Sequence, residues 1–338
     1  MCFRTLRRRI SVTGYTPVAG CAHPNVDSSM DLNDASPERA PTTRAGYVAL
    51  LGFPNAGKSS LLNRLLDQKL SIVTPFPQTT RERVVGIDTS DGVQMIFVDT
   101  PGLVDPRYLL HETMLHAALA AIPDADVLLL LVDATQSPPL DQTGLLAPVL
   151  SRKGAVVAVI NKIDVATANN VARVREWADE QGFQSSVEVS ALEGSGVESL
   201  REVVANLLPI SPYFYPPEEI SSQPVRFFVA EFVRETIFEL YKEEIPYSVA
   251  VRIEEYREAA TPVYIRATIF VERQSQKGIL IGSGGTSIRQ LGQMSRQKIE
   301  AFIGSPVYLD LWIKVLSKWR RDPTSLKHLG YSLPSSEG

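Results

Sequence analysis

The sequence predicts an α/β unit with a mostly parallel sheet, joined to a smaller α+β unit. Three observations predict it. From Tyr47 to about Leu208, short apolar runs alternate with helical patterns, the signature of parallel strands covered by helices. A proline-rich stretch, Pro209-Ile-Ser-Pro212-Tyr-Phe-Tyr-Pro216-Pro217 and on to Pro224, then breaks the alternation and reads as a stiff connector. Beyond it the order changes to one helical pattern, two alternating strands, a glycine-rich turn, a second helix and a last strand.

Along the chain, the expected organisation is an extension over 1–44, an α/β domain over 45–208, a linker over 209–224, an α+β domain over 225–332 and a tail over 333–338. The extension has four prolines, Arg4, Arg7, Arg8 and Arg9, and no acid before Asp27. A disordered tail, or translation starting at Met30, is preferred over an organelle transit peptide. The strand-like runs of the first domain are Tyr47–Leu51, Met95–Val98, Val127–Val132, Ala155–Ile160 and Val187–Val189. Its helical patterns include Ser60–Leu66, His111–Ala121, Asn170–Gln181 and Val197–Leu207. In the second domain a helix is expected over Phe227 to Tyr241. Val249, Val251 and Ile253 share one strand face, and Val263, Ile265, Ala267, Ile269 and Val271 share another. Gly278–Gly285 reads as the turn, Thr286 to Phe302 as the next helix and Val307–Val315 as the last strand.

At 338 residues, about two domains are expected. No apolar run is long enough to span a bilayer; Val127–Val132, flanked by Asp126 and Asp133, suits a buried strand. Cys2 and Cys21 both lie in the extension, so no disulfide holds the folded body. The net charge of −4 divides unevenly. Residues 1–223 carry 18 basic and 25 acidic side chains, and residues 224–338 carry 16 and 13. A basic second half on an acidic protein suggests a polyanion partner.

Between the first strand and the first helix stands Gly52-Phe53-Pro54-Asn55-Ala56-Gly57-Lys58-Ser59-Ser60. Gly-x4-Gly-Lys-Ser in a strand–loop–helix context is the phosphate-loop pattern. Its backbone N–H groups turn inward around phosphate oxygens, and the following helix adds its positive end. Lys58 would reach the β- and γ-phosphates, and the Ser59 hydroxyl would ligate Mg²⁺. Asn161-Lys162-Ile163-Asp164 follows the Ala155–Ile160 strand. The Asp164 carboxylate would accept from N1–H and the exocyclic amine of guanine. Adenine offers neither donor there and would leave a buried carboxylate unpaired. Asn161 and Lys162 would brace the loop and cover the base. Asp99-Thr100-Pro101-Gly102 ends a strand; Asp99 belongs near Mg²⁺ and Gly102 would present its N–H to the γ-phosphate. In Gln78-Thr79-Thr80-Arg81 a threonine hydroxyl would complete the Mg²⁺ shell, Thr80 being favoured and Thr79 a rival. Backbone of Ser190-Ala191-Leu192 would meet guanine O6. Lys58, Thr80 and Gly102 are therefore the expected catalytic residues, and Ser59, Thr80 and Asp99 the expected metal ligands.

In the second half, Gly282-Ser283-Gly284-Gly285 fits the GXXG loop that clamps a nucleotide backbone. Arg273, Lys277, Arg289, Arg296 and Lys298 surround it with no acid between 273 and 298, a track for phosphates. Ile279, Ile281 and Ile288 would floor a base-binding groove or simply join the core.

The set GFPNAGKS, QTTR, DTPG, NKID and SAL resembles the Era family of GTPases over about residues 45–332. Phe227–Glu231, Glu244–Tyr247, Gly278–Gly285 and Leu311-Trp312-Ile313-Lys314-Val315 agree. The resemblance implies a P-loop G domain joined to a type II KH domain. It implies GTP hydrolysis to GDP with Mg²⁺, binding to small-subunit ribosomal RNA near its 3′ end, and a role in assembly of the 30S-type subunit. It further implies a monomer in the bacterial cytoplasm with peripheral inner-membrane contact, or a plastid or mitochondrial protein if the extension is a transit peptide. Asn55 matches an asparagine that ligates K⁺ in related GTPases, or it braces the loop by a hydrogen bond. Leu103 stands where Ras-like switches carry the glutamine that positions water, implying hydrolysis that a bound partner accelerates. Arg81 and Arg83 are expected to be exposed charges rather than phosphate ligands.

Overall fold

A computed structural model describes residues 43–139 and 144–334. The extension over 1–42, both cysteines and the last four residues lie outside the described residues. The first part runs β1 (Arg44–Gly52), α1 (Lys58–Leu66), β2 (Val84–Ser90), β3 (Val93–Asp99), α2 (Leu109–Leu119), β4 (Val127–Asp133) and α3 (Ala147–Leu150). It continues with β5 (Ala155–Asn161), α4 (Ala168–Glu180), β6 (Ser185–Val189) and α5 (Val197–Leu207). These strands form one sheet in the order β2-β3-β1-β4-β5-β6. All pairs are parallel except β2 with β3.

Its strands are buried on both faces, as parallel strands between helices must be. Leu129, Leu131, Val157 and Val159 belong to one hydrophobic cluster, while Leu128, Leu130, Val156 and Ile160 belong to another. The antiparallel strand β2 is the one strand absent from the sequence reading. Val84–Ser90 is half polar and interrupted by Gly86, which hid its period. Gly86 is required by packing, since a Cβ there would lie 2.2 Å from Leu66 Cδ1. A local signal was nonetheless present. Asp91-Gly92, both with positive φ, make the tight turn from β2 to β3.

After residue 224 the chain forms α6 (Val225–Leu240), α7 (Ile245–Ser248), β7 (Ala250–Arg257), β8 (Val263–Val271), α8 (Gln274–Ile281), α9 (Thr286–Ile303), β9 (Val307–Val315) and α10 (Pro323–His328). The sheet order is β7-β8-β9, antiparallel then parallel. The glycine turn is shorter than expected: Gly278–Ile281 is helical, and the turn is Gly282–Gly285 alone. Among the described residues no helix is long and apolar enough to cross a membrane.

The proline-rich connector is bound to the first sheet. Gln94, fully buried on β3, donates to the Tyr215 carbonyl at 2.8 Å and accepts from the amides of Phe214 and Tyr215. Ile87 N–H donates to Ile220 O, and Gln223 bonds to Val85 and Arg83.

Candidate functional site

Strand β1 ends at Gly52, where φ is 149° and a Cβ would lie 2.5 Å from the Leu131 carbonyl oxygen. The loop that follows turns into α1 at Gly57, with φ 93°. A side chain at Gly57 would meet Asn161 Nδ2 at 2.2 Å. Glycine there lets the Asn161 amide reach the phosphate loop and donate to Ala56 O at 2.8 Å. The same side chain accepts from Ala191 N–H at 3.0 Å through Oδ1. One buried asparagine thus ties together the phosphate loop and the Ser190-Ala191-Leu192 loop.

The loop borders a cleft of about 370 Å³. Lys58 is buried at its base, donating to the carbonyls of Gly52 and Phe53 at 3.0 and 3.1 Å. Burial lowers its ammonium to about 8, against the pull of Asp99. Ser59 Oγ lies 2.7 Å from Asp99 Oδ2 and 3.0 Å from Thr80 Oγ1. Of the two candidate threonines, Thr80 faces Ser59, whereas the carbonyl of Thr79 accepts from Arg234.

Two hydroxyls and a carboxylate are hard oxygen donors of the kind Mg²⁺ prefers. Asp99 is fully buried, burial raises its pKa, and its Oδ1 has no hydrogen-bond partner among the described residues. An orphaned acceptor in that place fits a cation and its water. No group of three His, Cys, Asp or Glu side chains among the described residues is placed to hold a metal.

Gly102 packs on the phosphate loop so closely that a Cβ would lie 2.9 Å from Pro54 N. Thr100 Oγ1 donates to Leu50 O at 2.7 Å, fixing the strand end. Leu103 is completely buried and its N–H donates to Gly52 O at 3.1 Å. It belongs to the core and cannot orient water. Asn55 has φ 63°, is exposed, and makes no hydrogen bond among the described residues; it does not brace the loop.

At the end of β5, Lys162 lines the cleft and donates to Asp133 Oδ2 at 2.7 Å. Asp164 is partly buried, and its carboxylate has no partner among the described residues. Ser190 Oγ accepts from Glu193 N–H at 3.0 Å, and Leu192 is 74% exposed. Residues after β1, β3 and β5 (the phosphate loop, Gly102 and Lys162) line the cleft, while Asp164 and the 190–192 loop lie outside its lining.

Around Gly282–Gly285 the backbone takes φ values of 72°, 58° and 77° at Gly282, Gly284 and Gly285. Ser283 and Gly284 are exposed, as are Arg273, Arg289 and Arg296. Lys298 departs from the expected track. It faces α6 and pairs with Glu235 at 2.9 Å and Glu239 at 2.7 Å. Nor is Arg81 exposed. It is 4% accessible and donates to the carbonyls of Val249, Tyr247 and Pro246 at 2.6, 3.1 and 3.3 Å, with Trp319 5.6 Å away. Arg83 is half-buried and donates to Ala117 O at 2.8 Å. The residue after the proposed Mg²⁺ ligand is thus locked into the second half.

Two residues that sequence reasoning missed complete this link. Buried Arg234 joins Glu231 to the Thr79 carbonyl. Buried Glu235 receives Lys69 at 2.7 Å, Lys298 at 2.9 Å, and the Val73 amide at 3.4 Å. Both sit on α6 among apolar neighbours, where only the adjacency of opposite charges in Phe232-Val-Arg-Glu-Thr236 hinted at a role.

Residues 47–162 match the family described as 50S ribosome-binding GTPase, and residues 244–320 match the KH domain. The GTPase Era of Geotalea uraniireducens is 43% identical over 291 residues, covering 85% of this chain and 98% of that protein. The GTPase Era of Carboxydothermus hydrogenoformans is 41% identical, covering 86% and 98%. The crystal structure of a point variant of Aquifex aeolicus Era bound to GDP·AlF4⁻ superimposes with a TM-score of 0.82 at 38% identity, covering 86% of this chain and all of that one. A structure of Era with MgGDPNP and nucleotides 1506–1542 of 16S ribosomal RNA gives the same TM-score at 37% identity and the same coverage. At these identities and coverages the chain belongs to the Era family of GTPases, with a P-loop G domain followed by a KH domain.

Proposed function

We propose that this GTPase acts as a switch on small-subunit ribosomal RNA. Its KH half binds 16S-type RNA near the 3′ end and its G half hydrolyses GTP, so that the cycle assists assembly of the small subunit. One observation carries the reading. The hydroxyl that would sense Mg²⁺ and the γ-phosphate, Thr80, is followed directly by Arg81, whose guanidinium is bonded to three carbonyls of the second half. Nucleotide state and KH position then share one short segment.

The residues divide the work. Lys58 exchanges its carbonyl partners for β- and γ-phosphate oxygens and stabilises the charge that builds during transfer. Ser59, Thr80 and Asp99 would hold Mg²⁺, which neutralises phosphate charge when bound. The Gly102 N–H faces the γ-phosphate, and Asp164 selects guanine. Water is the nucleophile. Leu103 supplies no group to orient it, so intrinsic hydrolysis is slow and a bound partner raises it. The free amide of Asn55 supports a K⁺ site beside the β- and γ-phosphates. Replacing K⁺ by Na⁺ should lower the hydrolysis rate, and equal rates would remove that ion from the reading.

The deciding experiment compares affinity for a 16S 3′-terminal RNA fragment with GTP analogue and with GDP, and measures hydrolysis with and without the RNA. Tighter binding with the analogue is expected. Equal affinity in both states, together with full assembly activity of Lys58→Ala, would leave a passive RNA-binding module.

A further inference from the structure

Strands β8 and β9 bury one face against the helices: Val263, Ile265 and Ile269 of β8 and Val307 and Ile313 of β9 all lie in the main core. Their opposite face is covered near Thr268 and Phe270, the latter packed with Trp319 and Leu326, and is open along β9. Register places Arg257, Tyr264 and Tyr308 in one row across the sheet, and Arg252, Thr268 and Trp312 in another. Tyr308 is 58% exposed and Trp312 55%. Large aromatic rings held in the open on a sheet are unusual without a partner.

The rings are also pre-arranged. The Arg257 guanidinium lies 4.9 Å over Tyr264, and Tyr264 stacks on Tyr308 with centroids 5.8 Å apart and planes at 12°. This is a built stack whose last ring is open to solvent. Trp312 is held by its Nε1–H donating to Asp310 Oδ2 at 2.9 Å. Tyr308 and Trp312 are four residues apart on β9, about 13 Å along the strand.

We propose that this open face is a second RNA surface, a stacking platform for unpaired bases that is separate from the Gly282–Gly285 turn. It rests on the RNA-binding reading above. Charge selects the occupant. The two acids of the face are already engaged, Glu255 by Arg257 and Arg266, and Asp310 by Trp312 and Tyr264. Lys314 has no ion pair among the described residues. Asp310 keeps its charge because its donors are neutral, but Arg252, Arg257, Arg266 and Lys314 outnumber the two carboxylates, so the face presents net positive charge and rings, which suits a nucleic acid strand, and it projects no aliphatic side chain in these rows for a protein partner to bury. Continuity favours the same occupant. β9 is the sheet edge, and both α8 and α9, which flank the glycine turn, pack on it. On this reading a strand leaving that turn rounds the β9 edge to reach Trp312 on the opposite face. Sheet-borne aromatics elsewhere stack two or three bases in this way.

The test uses the full chain and a fluorescent single-stranded RNA of about twelve nucleotides, read by anisotropy. With Gly284→Asp silencing the turn, residual binding should remain. Adding Tyr308→Ala and Trp312→Ala should weaken it roughly a hundredfold, at about tenfold per ring. Tyr308→Phe with Trp312→Phe should restore it, and RNA-free GTP hydrolysis should not change. In parallel, 4-thiouridine RNA on the unaltered chain should crosslink within 307–315. Unchanged affinity in the alanine variant, or crosslinks confined to the turn, overturns the platform and leaves the turn-based reading intact. Crosslinks from this face to a ribosomal protein on whole subunits also overturn it. An unaltered chain that binds no RNA at all removes the underlying reading itself.

Discussion

Replacing Arg81 by alanine tests how the two halves are joined. Its guanidinium is buried and donates to Val249 O at 2.6 Å, Tyr247 O at 3.1 Å and Pro246 O at 3.3 Å. Hydrogen bonds from a charged donor contribute about 1.5–3 kcal/mol each, and the longest here falls at the weak end. Removing the cation also removes the cost of burying it, which offsets part of the loss. A net loss of about 3 kcal/mol follows, equivalent to roughly a hundredfold easier local opening. Amide hydrogen exchange by mass spectrometry is the assay. Peptides covering 245–250 and 316–331 should exchange about a hundredfold faster in Arg81→Ala, while the core of β4 and β5 should not. Arg81→Met keeps most of the packing and should show the same pattern. Arg83→Ala is the control, since Arg83 donates to α2 within the first half. Wild-type exchange in both peptides of Arg81→Ala would refute the proposition that this side chain carries the coupling.

Asp164→Asn should weaken GTP binding at least a hundredfold, measured by calorimetry, because the guanine N–H donors lose a charged acceptor. Lys58 sits at about 8 in the free protein; phosphate oxygens favour its charged form, so GTP binding above pH 8 should take up a proton. Calorimetry in buffers of different ionisation enthalpy would reveal it, and affinity should fall as pH rises through that region. Burial, aided by the neighbouring Glu231, pushes the Glu82 carboxyl up to about 7 against the pull of Arg234 and Arg81. A folded acid with a raised pKa binds its proton more tightly than the unfolded chain, so its contribution to stability is full below about 4.5 and is lost as pH rises to about 7. Urea melts of Glu82→Gln should lack that decline. Leu103→Gln should not speed hydrolysis; it places an amide in a fully buried position at a cost of about 1–3 kcal/mol, visible as a lower urea midpoint.

The nucleotide cleft was legible because its chemistry is written in contiguous residues. Glycine is demanded at 52 and 102 by close backbone approach and at 57 by a positive φ beside the Asn161 amide, and the spacing of the motifs places each near a strand end. Strand β2 was not legible, since its pairing with β3 rather than its own pattern defines it. Arg81 and Lys298 were misread for a shared reason. A charged residue normally faces water, and its burial depends on carbonyls and carboxylates more than 60 residues away. The same holds for Arg234 and Glu235, each of which has a partner on the other half of the protein, Thr79 for Arg234 and Lys69 for Glu235.

Asn161 has a consequence for turnover. Its amide clasps Ala56 with one end and Ala191 with the other, so the phosphate loop and the 190–192 loop are two ends of one bracket. Prising either end loosens both. A partner that displaces the 190–192 corner, where Leu192 stands exposed, should therefore loosen the phosphate loop and speed release of nucleotide, a rate that stopped-flow fluorescence would read.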